Sequence, residues 1–183
     1  MDLPLRRVTA VVIGMMLFLV AILTWFSRDG TESIARAAPA KPYGEMTIQE
    51  FSGENNLKTD IRDHEWDLTA TYATGGGAGG GSGKATFHPF AVTRSITPIS
   101  PAIASAVAQG RHFPKVTVKI FKPGTVQVAA TYVLTDVALS GLHESPGGGS
   151  TEVIEFVYNT IKWTQANNNM CWDVENNAGC PVT

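Results

Sequence analysis

His64 stands among four carboxylates, Asp60, Asp63, Glu65 and Asp67. A carboxylate beside an imidazole can do acid–base work, since the acid orients the ring and stabilises its proton. The same residues equally describe a charged loop leading into a strand, where exposed charges are simply hydrated. That reading needs no further assumption. Residues 75–83 followed by Lys84 have the glycine content of a phosphate-binding loop but not its chemistry. Ala78 stands where the first required glycine belongs, and Ala85 where a Ser or Thr would hold magnesium. A strand pattern follows in place of a helix, so no helix N-terminus would face a phosphate.

His64, His88, His112 and His143 are scattered singly, without the close spacing of metal ligands, and surface or edge positions are expected for all four. No G-x-S-x-G elbow is present. No catalytic residue, metal ligand or cofactor site is therefore assigned, and the chain is expected not to be an enzyme. Cys171 and Cys180 are the only cysteines and flank Asn and Gly residues that turn readily. In an oxidising compartment they are expected to close a short loop. Two free thiols, or a bridge between chains, are the alternatives. A net charge of −2 with no basic face excludes an electrostatic case for nucleic acid.

The elements around these residues read as short strands. Residues 46–51 (MTIQEF) and 65–72 (EWDLTATY) alternate apolar and polar positions, the second placing Trp66, Leu68, Ala70 and Tyr72 on one face. Residues 85–96 resume strand character, with a bulge or edge expected at Pro89, which has no N–H for a ladder. One short helix follows, with Ser100 as N-cap, Pro101 at its first position and Gly110 past its end, held by Ile103 and Val107. Residues 115–121 and 126–134 form a hairpin across Lys122-Pro123-Gly124. Residues 136–142 give another short strand, 143–150 a flexible loop, and 151–163 the longest strand, ending before a polar tail. The order predicts an antiparallel barrel or sandwich.

Residues 8–26 (VTAVVIGMMLFLVAILTWF) carry no charge. At 1.5 Å per helical residue the run nearly spans a hydrocarbon core of about 30 Å. Arg6 and Arg7 precede it, which leaves the amino terminus cytoplasmic and sends the remainder across. The run exceeds the usual length of a signal-peptide core, which favours an uncleaved anchor; Ala35-Arg36-Ala37 keeps cleavage open. A buried helix of a soluble protein is the third reading. The expected organisation is residues 1–27 as signal or transmembrane anchor, 28–45 as linker, 46–165 as the β-domain and 166–183 as a polar tail with a disulfide loop.

Several segments taken in order carry a resemblance: the glycine loop opening into Lys84-Ala85-Thr86-Phe87; Phe90-Ala91-Val92-Thr93-Arg94; Ser100-Pro101 before a helix ending at Gly110; residues 116–120; Tyr132-Val133-Leu134-Thr135-Asp136-Val137; and 152–163 (EVIEFVYNTIKW). In this order they resemble the Hcp family, the haemolysin-coregulated proteins of the type VI secretion inner tube. The resemblance implies a small antiparallel β-barrel with one helix on its side, self-association into hexameric rings that stack, and no catalysis. It also implies ring contacts from the extended loop, Gly75, Gly76, Gly77, Ala78, Gly79, Gly80, Gly81, Ser82 and Gly83. The apolar amino-terminal run and the cysteine-bearing tail depart from the family pattern. Both fit a relative working in the periplasm or outside the cell, anchored in the inner membrane if residues 8–26 stay in place. A monomeric ligand- or protein-binding barrel is the alternative function, and an envelope hydrolase built on His64 a third.

Overall fold

A computed structural model of the chain describes residues 41–71, 84–144 and 150–181. The apolar run 8–26, the linker up to residue 40, the glycine loop 75–83 and most of the loop 143–150 lie outside the described residues. Among the described residues no helix is long and apolar enough to cross a membrane.

Alternating side chains build the central strands. In β1 (Gly44–Ser52), Met46 and Ile48 point inward and are wholly buried. Alternation then breaks at Glu50, whose φ of 55° turns the charge outward and Phe51 into the core. β1 pairs antiparallel with β2 (Asn55–Ile61) on one edge and with β7 (His112–Phe121) on the other. The segment NNLKTDI of β2 showed no apolar alternation, and its strand is imposed by β1.

β8 (Val128–Glu144) pairs with β7 and with β9 (Thr151–Gln165). It replaces the two short strands expected at 126–134 and 136–142. Asp136 takes φ 49° and is passed over by the pairing on both sides, which resumes in register at Val137, and Ser140 is the one extra residue where the β8–β9 register shifts. Gly141 follows, at a site where a Cβ would lie 2.8 Å from Glu155 Oε2.

The expected barrel is not closed. With β10 (Asn168–Asp173) and β11 (Ala178–Gly179), the nine-stranded sheet runs β11-β10-β9-β8-β7-β1-β2, with β6 (Phe90–Ser95) on β9 and β3 (Asp63–Glu65) on β6. Two features account for this. β9 has fifteen residues and takes two partners in succession on one edge, β6 along Thr151–Phe156 and β10 (Asn168–Asp173) along Thr160–Gln165. The strand that would complete the circuit changes partner at Arg62, β2 lying on β1 and β3 on β6.

The strand expected at 65–72 ends at Glu65 and resumes as β4 (Leu68–Ala70), which pairs with β5 (Ala85–Phe87) in a separate two-stranded sheet. Leu68 is 44% exposed and Ala70 is exposed, so the single apolar face expected for Trp66, Leu68 and Ala70 is not formed; Tyr72 lies outside the described residues. The break expected at Pro89 separates β5 from β6.

Helix α1 (Ser100–Ala108) forms as expected, with a different cap. Ile99 occupies the N-cap without a side-chain bond, because the Ser100 hydroxyl is turned inward, accepting the Thr97 N–H at 3.1 Å and donating to Glu152 Oε1 at 2.9 Å. Gly110, at φ 59°, ends the helix; its N–H reaches Val107 O while Arg111 N–H reaches Ala106 O. These are the paired bonds of a left-handed glycine terminus. Ile103 and Ala106 carry the helix into the core, with Val107 only half-buried.

The tail is not merely polar. β10 extends the sheet from β9 across a turn at Ala166, and β11 (Ala178–Gly179) folds back on β10. Cys171 and Cys180 are bonded, their Cα atoms 5.2 Å apart. Cys180 N–H also reaches Cys171 O at 3.2 Å, and Pro181 follows with no N–H to carry the ladder on.

Candidate functional site

The histidine–carboxylate group is dispersed. β3 presents His64 inward, where its ring lies 5.8 Å from the Phe90 ring and 5.3 Å from Tyr132, and its Nδ1 is 2.8 Å from the Tyr43 hydroxyl. Asp63 accepts the backbone N–H of His64 at 2.8 Å. Asp67 turns to His88 instead, 3.7 Å away. Asp60 sits in β2 opposite Glu45, and Glu65 is exposed. The imidazole thus meets a phenol where a general base would have a carboxylate to orient it. Burial lowers the His64 pKa and Asp63 only partly offsets this, which favours the neutral ring. Burial, and then Asp63, raise the Tyr43 pKa.

His64, expected at a surface or edge position, lies on β3, which pairs with β6 alone, and is half-buried against its aromatic neighbours. His88, His112 and His143 do lie at the surface, paired with Asp67, Asp136 and Glu155 at 3.7, 3.6 and 3.6 Å. Among the described residues no three His, Cys, Asp or Glu side chains converge as a metal site would require.

Around His64 runs a continuous set of rings. Trp66, Tyr132 and Trp163 lie 5.9 Å from one another, Tyr132 and Trp163 being directly opposed across β8 and β9 and nearly parallel. Phe87 stacks on Trp172 at 6.0 Å and so ties β5 to the tail. The Trp66 indole donates to the Tyr158 hydroxyl at 3.0 Å, and Tyr158, its pKa raised by burial, reaches His88 O at 3.3 Å.

A buried ion pair went unforeseen. Arg94 is wholly buried and Glu152 is 2% exposed, with Nε and Oε1 3.4 Å apart. Arg94 also donates to Ser95 O at 3.1 Å and to the Thr97 hydroxyl. The signal was available: counting by twos from Phe90 and Val92 puts Arg94 on the inward face, and counting back from Phe156 and Ile154 does the same for Glu152. Two opposite charges on apolar faces of neighbouring strands must meet. They join β6, β9 and, through Ser100, α1.

Lys84 leads into β5, a strand, so the context of a phosphate-binding loop is absent. Gly75, Gly76, Gly77, Ala78, Gly79, Gly80, Gly81, Ser82 and Gly83 lie outside the described residues, between β4 and β5, which pair from Ala70 with Ala85.

The described residues form an antiparallel β-domain whose one helix is clamped to the sheet by a buried ion pair. Solved structures share this fold. One described as a type six secretion system protein is 21% identical, covering 75% of this chain and 99% of its own, at a TM-score of 0.61. The Hcp1 protein of E. coli EAEC 042 is 16% identical, covering 73% and 99%, at 0.61. A chain of the six-fold symmetrised anti-feeding prophage baseplate is 9% identical, covering 72% and 99%, at 0.51. Among curated proteins none matches. The family model described as "Type VI secretion system effector, Hcp" matches residues 38–165. The chain belongs to that family.

Proposed function

We propose that this chain is a structural protein of the Hcp type that self-assembles into rings, stacked or single, on the far side of the inner membrane, with residues 8–26 as its anchor or export signal. The observation that carries the reading is the family match across residues 38–165, which takes in all of β1 to β9 and α1. The continuous buried core supports it, Phe90, Phe156, Ile154 and Leu134 having no exposed surface of their own. So does the disulfide, which persists in oxidising compartments. The glycine segment 75–83 serves as a contact between rings, held at its base by the β4–β5 pair. No residue is given a catalytic role.

Negative-stain microscopy with light scattering on the unit Ala40–Thr183, purified under oxidising conditions, tests the reading. Rings or tubes are the expected outcome. A monomer that persists at high concentration sinks it and brings forward the ligand-binding alternative.

A further inference from the structure

Two exposed surfaces lie at opposite ends of β8. At its start the β7–β8 turn presents Lys122, Val126, 67% exposed, and Val128, 47% exposed. At its far end a groove of about 440 Å³ runs between the start of α1 and the ends of β8 and β9, lined by Ile96, Pro98, Pro101, Ala104, Leu142 and Glu144 among others. Ile96 is 39% exposed. Three of the six large apolar side chains left in solvent among the described residues thus sit on these two surfaces. Isolated apolar residues need no explanation, but a hydrophobic tip and a hydrophobic groove on one molecule are complementary.

Their charges are complementary too. The ionisable side chains of the groove are Glu144 and Glu152, and Glu152 is already neutralised by Arg94. Glu144 is left facing solvent without a counter-charge among the groove residues. The turn from Lys122 to Val128 carries one lysine and no acid. A chain does not fill its own groove, because the two surfaces stand at opposite ends of the seventeen residues of β8, up to roughly 50 Å of strand at the ordinary rise.

We propose that the Lys122–Val128 turn of one copy seats in the α1 groove of a second copy, Val126 and Val128 against Ile96 and Leu142, with Lys122 beside Glu144. This rests on the self-assembly reading above and names its contact. Each copy offers a tip at one end and a groove at the other, so the contact is head-to-tail. Such a contact closes into a ring when the rotation between copies allows and otherwise continues as a stack.

The test is oxidative cross-linking of the full chain carrying Ile96→Cys and Val126→Cys, beside each single variant. The double variant should give a reductant-sensitive ladder of chain multiples, while each single variant stops at a pair or below. A ladder ending at one size assigns the contact to the ring, and an open-ended ladder assigns it to the stack. Adding Lys122→Glu should lower cross-linking roughly two- to five-fold, the effect of losing an exposed ion pair, and Glu144→Lys in the same chain should restore it. Assembled particles that show no cross-link beyond the single variants overturn this contact and leave the assembly reading standing. A monomer by light scattering overturns both.

Discussion

Among single residues, Arg94 and Glu152 have the most at stake. Removing one partner of a buried ion pair strands the other, typically at 3–5 kcal/mol. Glu152→Ala should therefore cost about 3–5 kcal/mol in urea unfolding, with Arg94→Met/Glu152→Leu recovering much of it. A double variant as unstable as Glu152→Ala would show that packing, not charge, governs the site. Ser100→Ala removes a bond to the same carboxylate and should cost about 1.5–3 kcal/mol. His64 makes a second residue-scale prediction. Its folded pKa lies below its unfolded value, so the unfolded chain binds the extra proton as pH falls. Its contribution is fully present above the unfolded pKa, near 6.5, and is lost as pH drops from there toward the depressed folded value. Urea midpoints compared between pH 7.5 and 5.5 should fall further for the wild type than for His64→Gln. Equal falls would remove His64 as the cause.

For the elements, legibility followed burial. β7, β9 and α1 lie close to where alternation and Pro–Gly punctuation put them, because each has one face fully buried and one in solvent. β2 was invisible because its pattern, half-exposed to exposed as far as Ile61, carries no periodic signal and its ladder comes from β1. The continuity of β8 was equally hidden, since Asp136 interrupts the alternation with a residue that favours turns, and the strand absorbs it at a positive φ. The Arg94–Glu152 pair was readable by counting inward positions, whereas the partial burial of His64 was not: it depends on Tyr43 and Tyr132 arriving from distant segments. Gly44 shows how tightly the strands are set. A Cβ there would run into the backbone oxygen of Lys119 and lie 3.0 Å from Ile61 side-chain carbons. Gly44→Ala should thus destabilise by about 1–3 kcal/mol, the usual range for overpacking, seen as a lowered Tm. An unchanged Tm would mean that β1 shifts freely against β7.

Across the whole molecule, the tail beyond residue 165 lies outside the family match yet completes the sheet. Its hold rests on the Phe87–Trp172 contact, the β9–β10 ladder and the disulfide. Closing so short a loop is worth about 2–3 kcal/mol by chain entropy. Cys171→Ser/Cys180→Ser should lower thermal stability by that amount and leave particle size unchanged if assembly uses the surfaces at the ends of β8. Loss of particles would place the tail in the contact instead. The pairing of Cys171 with Cys180, closed off by Pro181, bears on what crowding does to such a protein. Subunits held side by side at high local concentration risk templating one another through bare backbone, the route by which ordered arrays degenerate into cross-β fibrils. β11 is two residues long and Pro181 follows it, so on that strand a neighbour finds only a short row of amides to copy, and recognition there would fall to side chains, which can tell a correct partner from a wrong one.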